Sequence, residues 1–272
     1  MKYSYKNDYL MSQSIVSFLS WLTPLLDTPQ SFLHSYTQKK PKRYLRFDNL
    51  YSAYEQYDWS LSGEISDLSV VLAKAIEQRN EQDCERTCYE ILKWGGVLRG
   101  NCDRIAHHSP NLCSYLQYVK ERLSIDMTSD AYYQKEIEIT AGFSKIYSAY
   151  IKDFIIYDSR VAAALGLLVR TFCEQSGIST IPYELCFAWT VGRSSGVRNP
   201  SLGSLIFPQL KIYKPEDYLE NNIRANWLVS AIADITTSKF SLIDRDNRPR
   251  AIEQALFMIG YDVSGFTIFT VH

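Results

Sequence analysis

The stretch FSKIYSAYIKDFIIYDSRVAAAL, residues 143–165, holds one amine and one carboxylate thirteen positions apart, Lys145 and Asp158, with mostly aromatic and aliphatic residues between them. A lysine attacks only as the neutral amine, which desolvation favours, and Phe143, Ile146, Tyr147 and Tyr150 offer an apolar wall. Asp158 stands where a helix N-cap belongs. There it accepts backbone N–H groups at the positive end of the helix dipole and stays ionised. An anion fixed in that way stabilises positive charge developing nearby. In EQALF (253–257), Glu253 and Phe257 lie four apart on one helix face. A hydrogen-bond acceptor beside an aromatic plane suits a flat heterocycle. Taken singly, each has an ordinary structural use: a cap, a solvated lysine, a core phenylalanine.

Charge narrows the partners. The 272 residues carry 29 basic and 30 acidic side chains, a net charge of −1, so any nucleic-acid binding has to come from local patches. One such patch is QKKPKRYLR (38–46), where Lys39, Lys40, Lys42 and Arg43 suit phosphate contact. Arg160 just inside the Asp158 helix, and Arg193, Arg198 and Lys211 around the Gly/Ser-rich stretch 192–210, extend it. The six cysteines form no CxxC; Cys84 and Cys88 share a helix face upstream of His107 and His108. Repeated zinc-ligand spacing is lacking, so the reading is free thiols in a reducing cytosol, with no metal and no cofactor. The apolar run 15–26 is too short for a bilayer, contains Pro24 and precedes no cleavage pattern, which leaves no membrane or targeting segment.

The elements that must position these groups are helical. Apolar periodicity predicts helices over 64–80, 84–97 (stopped by Gly95-Gly96), 111–123, about 130–151, 158–177, 182–192, 217–238 and 248–261, with TIFTVH as a short strand or extended tail. The class is mainly α. The whole chain, 1–272, reads as one body of two helical lobes, roughly 1–90 plus 175–272 and 90–175.

GFSK followed by IYDSRV resembles the lysine–aspartate arrangement of the 8-oxoguanine DNA glycosylases, in the helix-hairpin-helix superfamily. There a glycine-containing hairpin ends in a lysine, and an aspartate opens the next helix. EQALF is similar to their C-terminal helix, which supplies a base-reading polar residue and a stacking phenylalanine. WGGVLRGN (94–101) and IYDSRVAAALG look like a bacterial branch that includes anti-phage DNA glycosylases. The resemblance covers 90–170 and 248–261. It implies a two-lobed helix-hairpin-helix glycosylase-like fold with a central cleft, acting as a monomer on double-stranded DNA that contains a modified base. Lys145 and Asp158 would be catalytic, and Glu253, Phe257 and Trp94 would bind the flipped base, with lyase activity accompanying excision if Lys145 attacks. The departures are a hairpin with Gly142 but no G-x-G pair, a shortened lysine-to-aspartate gap, no four-cysteine cluster, and Glu253 where an amide stands in the eukaryotic enzymes. An ionised Glu253 accepts from the paired N–H donors of a guanine edge, favouring an oxidised guanine. The bacterial branch points instead to a hypermodified phage base such as glucosylated hydroxymethylcytosine. The alternatives are a non-catalytic DNA-binding or defence-complex subunit and a helical protein-interaction domain.

Overall fold

A computed structural model describes residues 6–58, 65–124, 136–192, 196–211 and 214–268. The chain is mainly helical with one small sheet. Short α1 (Lys6–Leu10) and α2 (Gln13–Leu22) precede a hairpin of β1 (Phe32–Lys39) and β2 (Lys42–Phe47), and α3 (Leu50–Glu55) follows. Next come α4 (Ile65–Glu77), α5 (Glu81–Trp94), α6 (Asn101–His108), α7 (Leu112–Leu123) and α8 (Ala141–Tyr150). The chain continues through α9 (Ser159–Gln175), α10 (Pro215–Ile235), α11 (Arg248–Ile259) and β3 (Phe266–Ile268). The antiparallel sheet runs β2-β1-β3, with Tyr36 opposite Leu45 and Leu33 opposite Thr267.

Helix limits follow local chemistry. Asn80 caps α5 by accepting from Asp83 N, and Gly95 and Gly96 end it, Gly96 at a φ of 64°. α9, built largely from alanine, leucine and valine, is buried along most of its length. α4 and α5 pack on α7 and α8, whereas α11 packs on α3, α9 and α10. The lobe boundary drawn near residue 90 therefore falls inside α5. Among the described residues no helix is long and apolar enough to cross a membrane.

Two local expectations change. Residues 182–192 are not a helix: a single 3₁₀ turn, Tyr183–Leu185, gives way to extended chain. The Trp189 N–H donates to Pro208 O, Trp189 O accepts the Leu210 N–H, and Asn221 Oδ1 takes the Ala188 N–H, so tertiary partners replace helical ones. The helix expected from about 130 is described only from Ala141; 125–135 lie outside the described residues, as do Arg193 and 269–272. The basic run around Pro41 is a β-hairpin, its apolar residues Leu45 and Phe47 facing the core while Lys42 and Arg46 lie on the opposite face and Arg43, next to the turn, is exposed.

Candidate active site

α8 delivers Lys145. Thr140 caps the helix, its Oγ1 accepting the Gly142 and Phe143 N–H groups at 3.1 Å and donating to Asn101 Oδ1 at 2.8 Å. A Cβ on Gly142 would lie 2.5 Å from Asn101 Nδ2, and one on Gly95 would lie 2.3 Å from Lys145 Cδ. The two glycines thus leave the room in which α8 seats on α6 and the lysine stem crosses the end of α5. Lys145 is only 5% exposed, with Nζ 3.4 Å from Ala141 O and 3.5 Å from Asp158 Oδ2.

Asp158 divides its carboxylate. Oδ1 accepts the Arg160 and Val161 N–H groups at 2.9 and 3.2 Å, and Oδ2 faces the lysine. Burial pushes its carboxyl up, but Lys145, Arg160 and the two cap bonds outweigh that and hold it below the ordinary 3.8. A depressed folded-state value means that its stabilisation is fully present above about pH 4 and lost as pH falls through the folded-state value. Glu253 acts oppositely, because burial raises its value despite Arg250; its contribution is present at low pH and lost as pH rises through the folded-state value. Asp158→Asn is expected to flatten the acid limb of unfolding followed by circular dichroism.

The segment between them is held residue by residue. Asn226 Oδ1 takes the Ile155 N–H at 2.9 Å, Glu253 Oε2 the Ile156 N–H at 3.0 Å, and Ser144 Oγ the Tyr157 N–H at 2.9 Å. Asn222 Nδ2 donates to Ile155 O at 3.1 Å, and the Tyr218 hydroxyl donates to Tyr157 O. Buried extended backbone outside a sheet needs such partners, and α8, α10 and α11 all supply them.

Lys145, Asp158, Trp94, Arg160, Arg198, Glu253 and Phe257 all line one cleft of about 760 Å³. The structure therefore brings together every expected catalytic and base-binding residue, but not in the expected postures. Glu253 is 3% exposed, and both its oxygens also take Arg250 Nη1, at 2.7 and 2.6 Å. The Arg160 guanidinium lies 4.1 Å from the Phe257 ring centre and 5.0 Å from that of Tyr261, while Tyr57 meets Phe257 edge-on at 5.9 Å. Arg250 stands 5.9 Å from the Trp94 ring. Arg198, expected at a DNA surface, is 4% exposed; its Nη1 donates to Gly260 O at 2.7 Å, and burial lowers it to about 10. Lys39, Lys40, Lys42 and Arg43 are exposed on the hairpin, outside the cleft lining, with Arg43 3.7 Å from Asp58. The Lys39 N–H donates to the Tyr261 hydroxyl at 3.3 Å, which joins the hairpin to the arginine cluster at the cleft.

Sequence reasoning missed Tyr57, Arg99, Arg104, Tyr218 and Arg250, which also line the cleft. Arg250 was findable, one turn before Glu253 on the same face. Tyr57 and Tyr218 carried no local signal. Cys84, Cys88 and Cys113 are buried free thiols in the core. No protein-family model, curated protein or solved structure matches the chain.

Proposed function

We propose that the chain is a DNA glycosylase of helix-hairpin-helix type, which flips a modified base into the cleft and cleaves its N-glycosidic bond. The observation that carries this reading is the Lys145 Nζ to Asp158 Oδ2 approach of 3.5 Å, at the wall of an aromatic-lined cleft large enough for a nucleotide. A flipped base costs a few kcal/mol of stacking and is held against aromatic rings; Phe257, Tyr57 and Trp94 supply them, Arg160 yielding the Phe257 face. As the bond breaks, its electron pair leaves with the base and C1′ gains oxocarbenium character. Asp158, already ionised by its cap bonds and neighbours, stabilises that cation. The Lys145 ammonium gives one proton to the departing base, its freed amine bonds to C1′ and sheds a second proton to Asp158, and sugar-ring opening, in which O4′ takes that proton, leaves a protonated Schiff base.

Borohydride reduces that Schiff base to a stable amine. Incubating the protein with duplexes carrying oxidised guanine or hypermodified cytosine is expected to give a trapped protein–DNA adduct with one of them. Absence of both adducts and abasic sites across such DNAs sinks the reading.

Phosphate contact by the hairpin extends it. Replacing Lys39, Lys40, Lys42 and Arg43 by Ser is expected to weaken binding to any duplex and to make log K against log salt shallower by about 0.9 per lost contact. Fluorescence anisotropy across a salt series measures this.

A further inference from the structure

Glu253 raises the question of what a buried carboxylate does on a cleft wall. Its acceptor capacity is turned inward: Oε2 takes the Ile156 N–H at 3.0 Å, and both oxygens take Arg250 Nη1. Ile156 lies two residues before Asp158, on the segment that sets where the α9 cap begins. The other bonds to that segment come from Asn226, Asn222 and Tyr218 on α10 and from Ser144 on α8. Glu253 thus holds that segment from α11, the helix that also carries Phe257. Arg250, held by the same carboxylate, stands over Trp94, which adjoins the glycine that makes room for the Lys145 stem. One carboxylate therefore ties the segment leading to Asp158 to the wall beside Lys145. Turning outward to read a base would leave the Ile156 N–H and the Arg250 guanidinium without this partner.

We infer that Glu253 is a positioning residue: by holding the Ile156 peptide and Arg250 it keeps the Asp158 carboxylate aimed at Lys145 Nζ, and it does not choose the base. This rests on the glycosylase reading for its kinetic consequences but not for its geometry.

The test compares Glu253→Gln, which keeps an acceptor for Ile156, with Glu253→Ala and with Glu253→Met, which fills similar volume without an acceptor. Single-turnover excision is expected to fall about a hundredfold in the Ala and Met chains, the scale of a small misplacement of reacting groups. DNA affinity should stay within about threefold, and the Gln chain should recover most of the rate with unchanged base preference. In parallel, carbon-13 NMR titration of the Asp158 carboxyl is expected to move upward in the Ala and Met chains and not in the Gln chain. A changed base preference in Glu253→Gln, or an Asp158 titration that matches wild type in Glu253→Met, overturns the inference. Should the wild-type chain excise no base, the glycosylase reading falls while the titration still decides the positioning.

Discussion

Asp158→Asn is expected to lower single-turnover excision by roughly 10²–10³-fold, the range for removing a preorganised electrostatic group at a transition state. The substitution isolates charge from structure. Asparagine caps helices about as well as aspartate, and its carbonyl oxygen can accept the Arg160 and Val161 N–H groups that Asp158 Oδ1 now takes. What disappears is the negative charge on Oδ2, 3.5 Å from Lys145. Far-UV circular dichroism and affinity for unmodified duplex should stay close to wild type while the rate collapses. Lys145→Gln, by contrast, is expected to abolish borohydride trapping altogether, since among the described residues Lys145 is the amine that an ion pair places beside Asp158 Oδ2. An Asp158→Asn chain that excises at the wild-type rate removes oxocarbenium stabilisation from the account, and a Lys145→Gln chain that still traps assigns the nucleophile elsewhere.

The second large effect is on stability. Gly260→Ala is expected to destabilise the fold by roughly 3 kcal/mol, the upper part of the usual range for overpacking. For a chain of this size that is a fall in Tm of about 6–12 °C by differential scanning calorimetry. A Cβ on Gly260 would sit 1.8 Å from Arg160 O and 2.5 Å from Arg160 C. Both are backbone atoms, so no side-chain rotation relieves the clash, and α11 must move away from the first turn of α9. That turn holds the Asp158 cap, and α11 holds Glu253 and Phe257. Excision should therefore fall along with Tm. The Gly95 approach differs in kind, because there the neighbour is the flexible Lys145 stem. A Gly260→Ala chain that melts with the wild type shows that the two helices can part without cost.

Much of the scaffold was readable from local pattern. DSRVAAALGLLVRTFCEQSG shows its cap, its apolar run and its closing glycine, and α9 follows that reading, from Asp158 to a φ of 67° at Gly177. The glycine stop of α5 is equally local, although the helix begins at Glu81, three residues before the start read from the sequence. The hairpin was not readable, because exposed basic residues around a proline show no alternation until Leu45 and Phe47 are known to face the core. The failure at 182–192 has the same origin. Its backbone is satisfied by Asn221 and by Pro208 and Leu210, partners that periodicity cannot see.

Within the candidate site the division is similar. Asp158 as a helix cap needs only its next three residues, so the sequence by itself determines it, whereas its ionisation also draws on Lys145 across the cleft. That Glu253 and Phe257 share a face also follows from the 3.6-residue repeat. Which way Glu253 turns does not, because its partner Ile156 is 97 positions away. Nor does the burial of Arg198, whose carbonyl partner Gly260 is 62 positions away. Tertiary structure alone decided that Lys145 and Asp158 meet. The bonds that hold the segment between them come from three helices, and a buried N–H is satisfied by whichever acceptor the fold brings to it, not by its neighbours in the chain.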